Sequence, residues 1–520
     1  MSLTTVSYEQ LQIQPFEVRI HKIALHLTVH DHGKLSFAGV IPEEKEEQYV
    51  RMADESTPVE LFYMDEQGKK QRLFHGVILK LQVRVENQVY WLEAEAVSHS
   101  HVMDLRRETR SYQNAALLIP DVMQKIAGLY PDGQTLNTFT EKKKLGGYTL
   151  QYQETDWEFL KRLASHYHTV LVPVSTEERI RIYLGMPEHR NAGKLTATHY
   201  RMYKDMMEYQ KEAQMGESGL SEQDYIRYEV QVRDRVLQLG DQVQFKGHSL
   251  HVFEIRTEMQ QGLLTHHYIL GYKKSAYRRT RYNSRLVGAS ISGNIMGVVR
   301  DEVQVQLDCD QEWSLAAAHL FPYSTMYASD DQTGWYCMPE KGDSIRLYFP
   351  NEKEGEGIAL SSVRKKLPEE ARSTPTAPST GSFTGGGGRE GGGTVTTVVR
   401  QEQLQPIVTY DKDLKEDLMA NPNTKFLLTP TGQKIRSEED KMTITGATGG
   451  ATLTLTSAGT IILNCENKIT LQASKQIEMV SESVTLLANQ IDMSTKGGNG
   501  GLTIDQGQVV IKGIEILMNQ

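Results

Sequence analysis

Histidines and aspartates supply most of the candidate chemistry in this chain. His21, His26, His30 and His32 crowd one short segment. His26, His30 and His32 share parity, so on a strand they would face one way. Imidazoles in such a row suit a transition metal. The pairs His99/His101 and His166/His168 repeat the same spacing. For all three groups we adopt the plainer reading, histidines on the solvated face of a strand. Asp308-Cys309-Asp310 has the carboxylates of a cation site, but it follows a strand pattern and reads as a polar loop. Cys309, Cys337 and Cys465 stand far apart with no CxxC, which fits a reducing cytoplasm and gives no disulfide framework and no zinc signature. No GxxxxGK[ST], HExxH or GxSxG occurs, so the Gly386–Gly393 cluster is not a phosphate loop. Trp157 and Trp335 read as core anchors. No residue is named as catalytic, and no cofactor or metal is implied.

Elements must be found that position something other than an active site. At 520 residues the chain is too long for one core, and three or more domains are expected. A net charge of −9 argues against a nucleic-acid partner, because phosphate binding wants a basic surface. No apolar run approaches a membrane span. Met1-Ser2-Leu3-Thr4-Thr5 lacks the basic-then-apolar pattern of a secretory signal. The expectation is a protein made and assembled in the cytoplasm, which leaves, if at all, by another route than general export.

The clearest punctuation is Ser373 to Gly393, STPTAPSTGSFTGGGGREGGG, a flexible connector that cannot bury apolar area. Beyond it the chain repeats. Leu453-x-Leu455, Ile461-x-Leu463, Ile469-x-Leu471 and Ile477-x-Met479 start eight residues apart. Val484-x-Leu486 and Ile491-x-Met493 follow at a spacing of seven. After the glycines at 497–501 come Leu502-x-Ile504, Val509-x-Ile511 and Ile514-x-Ile516. Each unit reads as a short strand with two inward side chains and a polar corner. A period of eight does not fit a 3.6-residue turn, and Thr, Ile and Val favour strands. Such a unit spans about 26 Å at most, enough for one side of a small prism. Three chains could close that prism, or one chain could form it as a solenoid.

The part before the connector reads as β with a few helices. Leu73–Ile78 and Val89–Ala96 look like strands. Thr155-Asp156-Trp157-Glu158 is a capping box, and Trp157, Leu160, Leu163, Ala164 and Tyr167 continue it as an apolar helical stripe over 155–167. A second helix is predicted over Asp121 to Leu129. Glu43-Glu44-Lys45-Glu46-Glu47 reads as a solvated loop or helix start. Between 286 and 365, Ile295–Val299 and Glu302–Leu307 predict a hairpin turning at Arg300-Asp301. Gly334–Pro339 and Lys341–Phe349 complete what looks like a small β-barrel.

Several segments together resemble one family. They are Phe74-His75-Gly76-Val77; Met103-Asp104-Leu105-Arg106-Arg107 through Ser111-Tyr112-Gln113; Gln151-Tyr152-Gln153-Glu154-Thr155-Asp156-Trp157-Glu158-Phe159-Leu160-Lys161-Arg162-Leu163; and Pro339-Glu340-Lys341-Gly342-Asp343-Ser344-Ile345-Arg346-Leu347. In this order, followed by the repeats, the chain resembles the VgrG family, the hub-and-spike proteins of type VI secretion, contractile phage tails and extracellular injection systems. It departs where the family often has an acidic pair and glycine after Leu163, since Ser165-His166-Tyr167-His168 stand there.

The resemblance implies a fold that is mainly β with a few helices. Residues 1–285 would form a hub of two tube-like β-barrel domains with inserted helices. Residues 286–365 would form an OB-fold barrel, 366–400 the linker, and 401–520 a C-terminal intertwined triple-stranded β-helix needle with repeats at 442–516. Its structural core would be Leu453, Leu455, Ile461, Leu463, Ile469, Leu471, Ile477, Met479, Val484, Leu486, Ile491 and Met493. The implied partners are two further copies of the chain, the inner-tube protein, baseplate proteins, effector cargo and the target-cell envelope. Because the sequence stops at Gln520, a separate tip protein is expected. The implied role is a trimeric spike that adapts the tube to the needle and punctures an envelope, not an enzyme. The rival is a phage-tail enzyme degrading cell-wall or capsule polysaccharide on a β-helix, which predicts longer rungs and paired carboxylates.

Overall fold

The computed structural model describes residues 5–187, 190–213, 219–325, 327–328, 334–360, 421–447, 450–496, 499–505 and 507–514. The chain is mainly β with a few short helices, as read from the sequence. Its largest element is a twelve-stranded sheet. One half is ordered Leu11–Gln14, Pro58–Met64, Lys70–Glu86, Val89–Ser98, Lys34–Ile41 and Arg19–Thr28. Arg19–Thr28 then pairs antiparallel with His248–Gln260, the first strand of the other half. That half continues through Leu263–Gly271, Ile226–Val232 and His199–Lys204, with Gln242–Phe245 and Asn191–Lys194 off this path. Strand Arg19–Thr28 shows why the sheet forms: Ile20, Ile23, Leu25 and Leu27 are buried on one face while His26 points to solvent. A single core built on Phe37, Val59, Leu61, Phe74, Leu92, Val230, Leu250 and Leu264 joins both halves.

The stretch between the halves holds the main helices. Helix α1, Glu46–Met52, lies within the first half and grows out of the charge run. Helix α2 spans Ile119–Ala127, two residues earlier than predicted, because Pro120 opens its first turn. Helix α3 spans Asp156–Ser165, and its capping box is made: Thr155 Oγ1 accepts from Glu158 N at 3.0 Å, and Glu158 Oε2 accepts from Thr155 N at 3.1 Å. Trp157, Phe159, Leu160 and Leu163 bury its apolar stripe against Val122, Met123 and Ile126 of α2. Helix α4, Met206–Ala213, lies in the second half.

The predicted hairpin is formed by Ser290–Val299 and Glu302–Leu307, with Arg300 at a φ of 58° in the turn. These strands belong to a five-stranded sheet ordered Leu320–Pro322, Glu302–Leu307, Ser290–Val299, Ser344–Tyr348 and Ile358–Leu360. Its core takes Tyr148 and Leu150 from the helical region and Phe426 from beyond the connector. Strand Gly334–Tyr336 pairs with Lys425–Leu428, which heads a run of antiparallel strands through Lys434–Ser437, Lys441–Thr445, Ala451–Thr456 and Ile461–Cys465. The Pro/Thr/Gly connector lies outside the described residues.

Candidate functional site

Residues of two motifs, 103–113 and 151–163, converge on a buried polar joint between the sheet, the helices and the small five-stranded unit. Strand Arg107–Tyr112 pairs antiparallel with Thr149–Thr155, so the Arg107–Gln113 and Gln151–Thr155 motifs lie side by side. Arg110 reaches across to Asp156 at the start of α3, and the buried Gln151 donates to the same carboxylate at 2.8 Å. Gln113 crosses to the five-stranded unit, donating to the Val305 carbonyl at 2.9 Å and to Asp310 Oδ2 at 2.8 Å. Asp104 accepts from the Thr155 hydroxyl, which fixes the entry to α3.

Arg162 is the centre of this joint. Its side chain is 3% exposed. It donates to Glu154 through Nε at 2.9 Å and Nη2 at 2.8 Å, to the Leu150 carbonyl at 2.8 Å, and through Nη1 to Glu354. One guanidinium therefore ties a helix, a strand and the Glu354–Glu356 turn of the five-stranded unit. Planar, fixed donors suit this task better than a lysine point charge. Burial holds the Glu154 carboxyl above its usual range although Arg162 pulls the other way. Glu354 carries no motif signal and was legible only in three dimensions.

Two glycines in the motifs have physical reasons. A Cβ on Gly76 would sit 2.1 Å from the Val97 carbonyl oxygen, so only glycine lets the strands approach there. Gly342 has a φ of 98° in a turn closed by Asp343, whose Oδ2 accepts from Glu340 N at 2.9 Å.

The repeat residues follow the predicted pairing only in part. Leu453 faces Leu463 and Leu455 faces Ile461 across an antiparallel pair. Ile491 faces Ile504 and Met493 faces Leu502 in a three-stranded sheet of Gln490–Ser494, Gly501–Asp505 and Gln508–Lys512. Ile469, Leu471, Ile477, Met479, Val484 and Leu486 lie in 466–489, which forms no strand within the chain. The side chains read as inward-facing stand largely in solvent on a single chain: Ile461 is 68% exposed, Leu471 66% and Met479 67%. Ile516 lies outside the described residues.

Three readings of single residues need correcting. His30 and His32 do not lie on a solvated strand face. The strand ends at Thr28, and His30 turns the chain at a φ of 70°, which sends His32 inward to 5% exposure. His99 and His166 are also half-buried rather than solvated, packed where the helices meet the sheet. Trp335 is no core anchor: strand parity turns it outward opposite Leu427. Trp157 is fully buried as expected. Asp308–Asp310 is a loop in which Asp310 accepts from Leu307 N at 2.8 Å. Burial, more than the neighbouring carboxylates, pushes the Cys309 thiol up to about 12. Among the described residues no group of three or more His, Cys, Asp or Glu side chains converges as a metal site would.

Residues 56–174 match the family model described as phage tail baseplate hub (GPD). A search of the curated proteins finds no match. Several solved structures are similar at low identity. An E. coli protein, c3393, described as a component of the type VI secretion system with similarity to T4 bacteriophage tail proteins gp27 and gp5, is 11% identical, with 68% of this chain and 99% of that chain covered and a TM-score of 0.47. A chain of the Francisella PdpA-VgrG complex is 9% identical over 86% of this chain and 83% of that one, with a TM-score of 0.43. The tail protein from Neisseria meningitidis MC58 is 13% identical over 51% and 98%, with a TM-score of 0.39. None of these three reaches a TM-score of 0.5, and the family match is confined to residues 56–174. Over residues 56–174 the chain is therefore similar to phage tail baseplate hub (GPD) proteins. The VgrG-like resemblance read from the motifs is borne out over that hub segment, which contains three of the four motifs and most of the joint.

Proposed function

We propose that the chain acts as the trimeric spike at the tip of an inner tube, adapting the tube to a needle and puncturing a target envelope when a sheath contracts. The observation that carries this reading is the row of exposed aliphatic side chains from Leu455 to Met493 that follows a baseplate-hub segment. Apolar surface of that extent marks an interface. Two further copies of the chain would cover it and would offer backbone partners to 466–489. The twelve repeat residues are then the dry interior of the needle. Residues 1–285 serve as the hub, 286–365 as the OB-type barrel, 366–400 as the linker and 401–520 as the needle. The inner-tube and baseplate proteins bind the hub end, and a separate tip protein and effector cargo complete the particle, which assembles in the cytoplasm.

The work is mechanical. The joint at Arg162 supports it, because one guanidinium ties the helical region to the five-stranded unit through Glu154 and Glu354. No helix among the described residues is long and apolar enough to cross a membrane. Electron microscopy of the purified chain tests the reading: a three-fold hub with one stiff rod is expected, and a variant truncated after Lys441 should keep the hub and lose the rod. Separate monomers with loose tails would overturn it. Turnover of bacterial cell-wall or capsule polysaccharide that vanished on changing one Asp/Glu pair would support the enzyme instead.

A further inference from the structure

Five histidines line one seam of the hub beside the joint, and His32 reaches its Asp104 at 3.5 Å. His30 and His32 sit in the turn after Arg19–Thr28, His75 in strand Lys70–Glu86, and His99 and His101 in the 3-10 segment His99–Asp104. Across the seam stand α3 and strand Leu171–Pro173 with the loop after it. His30 holds that strand by both hands: its backbone N donates to the Leu171 carbonyl at 2.7 Å, and its Nδ1 accepts from Leu171 N at 3.2 Å. The His32 ring lies 4.6 Å from that of Trp157, with Nδ1 2.9 Å from Ser100 Oγ. His75 donates its backbone N to the Ser175 carbonyl at 2.7 Å, and its ring stacks on His99 with Nδ1 and Nε2 2.7 Å apart. Two of these contacts need a lone pair. His30 Nδ1 can accept from Leu171 only if unprotonated, and the His75–His99 pair can share one proton but not two.

The surrounding charges do not rescue a cation. His30 faces Arg278, Arg281 and Lys161, all positive. His75 faces Arg72 and Lys70 against Glu60 and Glu178, and His99 faces His75 and Glu178. His32 faces Asp31 and Asp104, the latter at 3.5 Å, together with His101. We propose that the seam is an acid-sensitive clasp: it is closed while His30, His32, His75 and His99 are neutral, and it opens when they take up protons, releasing the helical region 107–184 from the large sheet. The ligand that works it is the proton alone.

The direction follows from linkage. Burial, ahead of the nearby charges, depresses His32 and His99 to about 4. Above pH 6.5 both closed and open states are neutral and the clasp has its full strength. As pH falls from 6.5 towards 4, the open state binds protons that the closed state refuses, and strength is lost. Over that span each such site moves the closed-to-open ratio by up to ~300-fold.

Two measurements on the full chain test this. Imidazole NMR titration, with His32 and His99 assigned through His32→Asn and His99→Gln, should give midpoints below pH 5; midpoints near 6.5 would overturn the proposal. Hydrogen exchange corrected for intrinsic rate should rise ~10-fold or more in segments 28–33, 98–104 and 169–176 between pH 7.5 and pH 4.5, while strands 226–232 and 263–271 stay protected. Protection retained in the seam at pH 4.5, or lost in all segments together, would overturn it. A His32→Asn/His75→Gln/His99→Gln variant that folds should lose the selective response, and the same selective opening in that variant would also overturn it.

Discussion

Replacing Arg162 with methionine keeps much of the side-chain volume and removes the charge. The change strands Glu154 and Glu354, whose side chains are 6% and 7% exposed, without their shared cation. It also orphans the Leu150 carbonyl that Nη2 satisfies at 2.8 Å. Breaking one partner out of a buried ion pair costs about 3–5 kcal/mol, and the lost backbone bond adds about 1 kcal/mol. The expected loss is therefore ~4–6 kcal/mol at pH 7.5. The penalty has a pH signature. Glu154 already sits above the usual carboxylate range because it is buried, and without Arg162 it moves further up. A carboxyl whose folded pKa is raised opposes folding above its ordinary value and ceases to below it. The deficit should therefore shrink as pH falls from 7.5 towards 4.5. A multidomain chain calls for a segment-resolved assay, and hydrogen exchange at 149–155 and 354–360 reads the joint directly. A loss below 1 kcal/mol, or one that does not change with pH, would refute the reasoning.

Further outcomes follow from the same structure. Ile469→Asp or Ile477→Asp should fray the needle, since three unpaired charges would meet at its axis; an unchanged melting temperature and unchanged trimer would show that these side chains do not face inward. Thr155→Ala removes the α3 cap and the bond to Asp104 and should cost about 1–2 kcal/mol in denaturant melts. The half-exposed Arg285–Glu158 pair, made twice at 2.8 Å, should cost at most about 1 kcal/mol when Arg285→Ala is measured the same way. Cys309 should resist alkylation at pH 8 in the folded chain, because its thiol is pushed far above that pH and the thiolate is the reactive form; labelling as fast as a free thiol would contradict the half-buried placement of the thiol.

What the sequence revealed was local. The capping box at Thr155–Glu158 and the hairpin turning at Arg300-Asp301 are each set by neighbours in the chain and stand where they were read, while the helix read over Asp121 to Leu129 begins two residues earlier, at Ile119. What was illegible depends on distant partners. Glu354 becomes informative only because the fold brings it to Arg162, 192 residues away. The parity argument placed His30 and His32 on a strand, but the strand stops at Thr28, and one positive φ reversed their exposure. Trp335 failed for a related reason: its partner strand, Lys425–Leu428, comes from beyond the connector. The repeat from Leu453 to Met493 was legible as a period, but one chain leaves most of those side chains in solvent.

That exposure makes assembly the central claim, and the mass of the purified chain in solution tests it most directly. Sedimentation equilibrium at micromolar concentration should give three times 58.8 kDa, held without dissociation on dilution. A species of 58.8 kDa under the same conditions would contradict the trimeric spike.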